Sequence, residues 1–150
     1  MSDLRSLAYI SKNTIRGTED DVREALRAII ATAEHNNPRL GVTGALLYSG
    51  GYFCQVIEGP QEALEALFES IQMDRRHGDV TVLHFEPIAE RDFREWAMAL
   101  AGVEASMRFD IEGLRQSKDE LVMKEAGHHL VSVLEELVQQ RQAVLQHVRT

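Results

Sequence analysis

The chain has 150 residues, 44% apolar and 27% charged, a composition that suits one water-soluble domain with a proper core and some additional helix. Its net charge of −8 opposes non-specific binding to nucleic acid or to an anionic membrane, and no apolar run is long enough to span a bilayer. A single cysteine, Cys54, excludes an internal disulfide, and no Cys/His grouping has zinc spacing, so no metal site is expected. The opening MSDLRSLAYISK lacks the basic start and long apolar stretch of a secretory leader, which predicts a cytoplasmic protein.

Residues 4–11, LRSLAYIS, read as a first strand. Thr18 then opens a helix with Asp20 and Asp21 in its first turn, where negative charge is favourable. Val22, Leu26, Ile29, Ile30 and Ala33 give that helix one apolar face, and Asn36–Asn37–Pro38 is expected to stop it, because a residue before proline avoids the α region. VTGALLYS (42–49) and YFCQVIE (52–58) are β-like runs joined by Gly50–Gly51, a hairpin signal. Gly59–Pro60 leads into a second helix whose stripe is Ala63, Leu64, Leu67, Phe68 and Ile71, with Gly78 as its expected terminator. Residues 79–88 and 96–102 complete a set of five strands.

The order β-α-β-β-α-β-β fits an α+β, ferredoxin-like sheet with both helices on one face and with strands 1 and 3 adjacent at its centre. Residues 103–116 read as a connector. From Ser117, which with Glu120 resembles a capping box, the pattern turns helical, and Gly127 is a candidate break between two C-terminal helices. Leu121, Leu130, Leu134, Leu137, Val144 and Val148 form a stripe that must cover the open face of the sheet or pair with another chain.

Several residues do not fit a plain core. Gln55 interrupts an apolar central strand, on the face of Phe53 and Ile57; it is either a strand-end amide reaching solvent or a buried group with a specific partner. Tyr9, on the first strand, reads first as a core tyrosine with its hydroxyl at the surface and second as a neighbour of Gln55 across paired strands. Asn36 and His35 end a helix, where capping explains them. Trp96 and Met98 share a strand face with Leu100 and read as core. Arg75–Arg76–His77 is a solvated helix end or a local anion contact. There is no P-loop, no GxGxxG and no GxSxG, and the acidic pairs Asp20–Asp21 and Glu135–Glu136 sit on solvated helix faces.

Taken in order, LAYIS around Tyr9, AEHNN around Asn36, GVTGALLYSGGYFCQVIEG around Gln55, IQMDRRHGDV around Asp74–His77 and FREWAMAL around Trp96 and Met98 resemble the BLUF family, the sensors of blue light using flavin. The resemblance covers residues 1–105 as a flavin-binding domain, with 106–150 as a connector and C-terminal helical extension. It implies FAD held between the two helices, with Tyr9 and Gln55 as the photoactive pair and Asn36 on the polar edge of the ring. It further implies Thr32, Ile71 and His35 near the ring, Asp74 and Arg76 near the ring or the ribityl-phosphate side, and Trp96 and Met98 as the relay of the signal, with the inward-facing one of the two left open. The resemblance also implies a photoreceptor and not an enzyme, acting on a separate signalling protein, for which an enzyme that makes or degrades a cyclic dinucleotide is a candidate by family habit, and self-associating. The competing readings are a flavin-free ferredoxin-like interaction module that uses its C-terminal stripe, and a flavin oxidoreductase, for which no second substrate constellation is visible.

Overall fold

The computed structural model describes residues 3–104 and 110–149, with side chains described as far as Arg141. Its elements run β1 (Leu4–Asn13), α1 (Glu19–Leu40), β2 (Thr43–Ser49), β3 (Tyr52–Pro60), α2 (Gln61–Met73), β4 (His77–Pro87), β5 (Ala99–Glu104), α3 (Ile111–Gln116) and α4 (Glu120–Arg149). The five strands form one sheet in the order β4-β1-β3-β2-β5, antiparallel except for the parallel β2–β5 pair. As the pattern predicts, β1 and β3 are neighbours at the centre, and the fold is ferredoxin-like with α1 and α2 on one face.

The sheet separates two apolar layers. On one side Leu7, Leu46, Phe53, Ile57 and Met98 pack against Val22 and Leu26 of α1 and Leu64 of α2. On the other, Ala8, Ile10, Leu47, Cys54 and Val56 pack against Ile111 of α3 and Leu130, Leu134 and Val138 of α4. Alternation along each strand sends successive side chains to opposite layers, so one sheet serves both. The C-terminal stripe therefore covers the open face of the sheet. Burying Leu130, Leu134 and Val138 stabilises that docking by about 1.5–3 kcal/mol each. Leu121 stays 64% exposed, just before the contact begins at Met123. The side chains of Val144 and Val148 lie outside the described residues.

Four boundaries differ from expectation. Helix α1 continues through Pro38 and ends at Gly41, whose positive φ of 70° lets its N–H reach back to the carbonyls of Asn37 and Pro38. The proline has no N–H for the Glu34 carbonyl, and the α conformation of Asn37 before it is held by the bonds of Asn37 to Ala97 and Val42. Helix α2 ends at Met73, leaving Gly78 inside β4 opposite Lys12. Strand β5 starts only at Ala99, so Trp96 and Met98 precede it and do not share a face: Met98 joins the α1/α2 layer and Trp96 packs against the α4 layer. Helix α4 is unbroken at Gly127, where a Cβ would collide with the His84 ring. Asp119, not Ser117, caps it, accepting from the N–H of Leu121 at 2.9 Å.

Candidate functional site

A cavity of about 610 Å³ opens between α1, α2 and the sheet. Its floor is Tyr9 of β1, Leu46 of β2, Phe53 and Gln55 of β3, and Met98; its walls are Ile29, Thr32, Ala33, Asn36 and Asn37 of α1 and Leu67, Ser70 and Ile71 of α2. Small and apolar residues at helical spacing make two flat walls, which suits a planar ligand.

Tyr9 and Gln55 are paired directly across β1 and β3, so their side chains leave the sheet on the same face. The Tyr9 hydroxyl donates to Gln55 Oε1, and Gln55 Nε2 donates to Met98 Sδ at 3.3 Å. In this orientation the amide turns its oxygen toward Tyr9 and its NH₂ toward Met98. One N–H and one lone pair of Gln55 then remain for a ligand in the cavity. Tyr9 is 3% exposed, and burial, aided by the charges of Asp74 and Cys54, pushes its phenol far above the ordinary tyrosine value. The ground state therefore holds a neutral phenol at any ordinary pH. Phe68 lies 5.7 Å from the Tyr9 ring, centroid to centroid, and His77 lies 6.2 Å away.

His77 fastens the end of α2 to the sheet. One ring nitrogen lies 2.6 Å from the carbonyl oxygen of Ile71 and the other 2.6 Å from Ser11 Oγ. The first must donate to a carbonyl, so in the neutral ring the second accepts from the hydroxyl. Beside it, at the cavity mouth, Arg76 grips Asp74 through its Nε and Nη2, and the Arg76 backbone N–H also donates to Asp74 Oδ1 at 2.9 Å. These bonds, the guanidinium's first, hold the Asp74 carboxyl below the usual range.

Asn37 is 1% exposed, and its Nδ2 donates to the carbonyl oxygen of Ala97 at 2.8 Å. Asn36, next to it, is half-buried, and its Oδ1 accepts from Arg39 at 2.9 Å. The segment carrying Ala97 and Met98 has a second anchor in Glu58, a fully buried carboxylate on β3. It accepts from the N–H groups of Asp92 at 2.7 Å and Phe93 at 2.9 Å and from Thr43 Oγ1 at 3.0 Å. Desolvation nevertheless dominates and raises the Glu58 carboxyl above the ordinary glutamate value.

The chain matches the family model described as "BLUF: Sensors of blue-light using FAD" over residues 4–99. The chain belongs to this family. BLUF proteins are blue-light sensors whose cofactor is FAD, and the cavity fits a flavin: flat apolar walls, a volume within the usual range for cofactor sites, and an amide with free hydrogen-bonding capacity on its floor. Over 109 residues the chain is 40% identical to the photoactivated adenylate cyclase subunit beta of Euglena longa, spanning 72% of this chain but only 12% of that protein. Among solved structures, BlrB, a BLUF protein in its dark state, matches at 33% identity with a TM-score of 0.62, covering 90% of this chain and 94% of BlrB. The photo-activated state of BlsA matches at 30% identity and a TM-score of 0.66, covering 90% and 94%.

Of the residues that the BLUF resemblance singles out, Tyr9, Thr32, Asn36, Gln55, Ile71, Asp74, Arg76 and Met98 all border the cavity. His35 does not: it is exposed on the outer side of α1. Trp96 lies against the α4 layer, which leaves Met98 as the inward-facing member of that pair. Asn37 and Glu58 were not expected in the site from sequence, and His77 entered only as part of the Arg75–Arg76–His77 cluster. The available signal for Asn37 was helical spacing from Leu26, Ile30 and Ala33, hidden by the expectation that the helix stops there. For Glu58 it was a charge continuing an apolar central strand.

Proposed function

We propose that Tyr9 and Gln55 are the photoactive pair of a blue-light receptor, and that the change they store is passed through Met98 to a separate signalling protein. The observation that carries this reading is the hydrogen bond from the Tyr9 hydroxyl to Gln55 Oε1 in the floor of the cavity. When bound, the flavin supplies the absorption of blue light and an excited state that accepts an electron. Tyr9 is the donor. Its phenol is a very weak acid while reduced, but loss of an electron makes the same proton strongly acidic, so electron and proton leave together. Gln55 Oε1 lies where that proton goes. When both return to Tyr9, the Gln55 amide is left rotated or tautomerised, with its donor and acceptor ends exchanged between Tyr9 and Met98. The dry floor of the cavity strengthens each of these bonds and makes the exchange costly to reverse without light.

Asn37 and Asn36 hold the polar edge of the ring, with the buried Asn37 as the principal contact. Thr32 and Ile71 close the walls. Arg76, part-exposed at the mouth and already bound to Asp74, is oriented toward the phosphate side of the cofactor. Output runs through the segment 88–98, because Met98 touches Gln55 and the neighbouring Ala97 is bound by Asn37. Residues 1–105 act as the sensor and 106–150 as the output extension, which docks on the reverse face of the same sheet. We further propose that the separate partner handles a cyclic dinucleotide and that the receptor self-associates. Photoactivated cyclase subunits and Klebsiella pneumoniae BlrP1, solved in a manganese and cyclic-di-GMP complex, carry matching segments inside longer chains.

The test is an absorption spectrum before and after blue light on the wild type, Tyr9→Phe and Gln55→Leu. A red-shifted state that decays in the dark is expected in the wild type alone, with FAD bound in all three. A full-size shift in Tyr9→Phe would overturn the assignment of the donor.

A further inference from the structure

The sheet face away from the cavity brings together three ligating side chains from two elements. His84 and Glu86 are two residues apart on β4 and so face the same way, toward α4, where His128 meets them. His128 Nε2 lies 2.5 Å from Glu86 Oε1, and the His84 and His128 rings are 5.3 Å apart, centroid to centroid. One ligand atom from each of the three residues lies within 4.8 Å of the others.

His84 is the unusual member. It is 6% exposed; its Nε2 lies 2.9 Å from Ser6 Oγ, and its Nδ1 is buried with no hydrogen-bond partner among the described residues. A buried, unpartnered ring nitrogen costs about 1–3 kcal/mol unless something fills the place. With Nε2–H donating to Ser6, Nδ1 carries a bare lone pair, the tautomer that metal-bound histidines adopt when a neighbouring group holds the other nitrogen. The missing side chain at Gly127 lets the helix come close enough to bring His128 alongside. Glu86 places its second oxygen 3.5 Å from Lys124 Nζ, which leaves Oε1 facing His128. A shallow pocket of about 490 Å³, bordered by His84, Glu86 and Lys124, connects the cluster with solvent.

We propose that His84 Nδ1, Glu86 Oε1 and His128 Nε2 bind one divalent transition-metal ion of the zinc type, clasping α4 to β4 and leaving a fourth position to water. Two imidazoles and a carboxylate suit zinc and its neighbours and are poor ligands for magnesium or calcium. The side chains of His128 and Glu86 are 52% and 20% exposed, so an ion reaches the cluster from solvent.

The experiment uses the full chain with FAD bound, without any histidine tag, freed of metal by chelation and titrated calorimetrically with zinc chloride. One zinc per chain and a raised melting temperature are expected, with no response to magnesium at the same concentration. His128→Ala and Glu86→Gln should each weaken zinc binding at least about tenfold while leaving the flavin spectrum unchanged, and His129→Ala should bind as the wild type does. The flavin spectrum shows that each variant is folded. Absence of stoichiometric zinc binding in the wild type, or wild-type affinity in both ligand variants, overturns the proposal.

Discussion

Asn36→Ala and Asn37→Ala, made separately, distinguish which asparagine holds the flavin. The two residues are adjacent, yet their surroundings differ sharply. Asn37 is 1% exposed and ties α1 to the backbone of Ala97 through a 2.8 Å bond. Removing its amide deletes one net hydrogen bond, about 0.5–1.5 kcal/mol, and leaves the Ala97 carbonyl without its donor, so the total loss of stability is about 1–2 kcal/mol. The same amide borders the cavity, so losing a bond to the cofactor costs a similar amount again, about tenfold in FAD affinity. Ala97 precedes Met98, so loosening it also loosens the Gln55–Met98 contact. Among the described residues Asn36 bonds Arg39 alone, an i,i+3 pair on the helix surface that contributes about 0.5 kcal/mol at most, so its variant should change FAD affinity about twofold. Equilibrium dialysis with flavin fluorescence measures the affinities, and urea unfolding measures stability. If Asn36→Ala weakens FAD binding more than Asn37→Ala does, the reasoning from burial fails.

Glu58→Gln should destabilise the protein by about 1–3 kcal/mol, because an amide presents an NH₂ where the carboxylate now accepts from Asp92, Phe93 and Thr43. Its pH dependence has a definite sign. The folded-state Glu58 carboxyl is raised by burial, so above the ordinary value of about 4.3 the unfolded chain releases its proton first and the wild type is increasingly penalised. The stability advantage of wild type over Glu58→Gln should therefore narrow as pH rises from about 4 to about 8, and paired unfolding curves that show it widening contradict this. Cys54, 0% exposed with its thiol pushed up to about 12 chiefly by desolvation, should resist an aromatic disulfide reagent in the native state and react fully once unfolded. Gly127→Ala gains about 1 kcal/mol of helix propensity but forces a Cβ into the buried His84 ring, and the overpacking should win, lowering the melting temperature by about 3 °C. A higher melting temperature for that variant would mean that the ring yields easily.

The sequence by itself determined the order of the five strands and the first two helices, the hairpin at Gly50–Gly51, the adjacency of β1 and β3 and the apolar stripes of the helices, but not α3, which lies at Ile111–Gln116 where a connector was expected. It could do so because strand and helix periods are local, and because right-handed crossovers allow few ways to join them. Gln55 was legible as an amide inside an apolar central strand, and Tyr9 as its possible neighbour on the adjacent strand. Only the tertiary structure decided matters that depend on what lies across a gap. Pro38 predicts a helix end, but Gly41 and the Asn37–Ala97 bond carry α1 three residues further, and that places Asn37 against the cavity. Met98 faces Gln55 and Trp96 faces α4 because β5 starts after both, so no strand alternation governs them. No spacing in the chain suggests a metal, because His84 and His128 belong to elements that meet only when α4 lies down on the sheet. The stripe on α4 stated that this helix must bury one face. It was the open side of the sheet, with Gly127 against His84, that decided where.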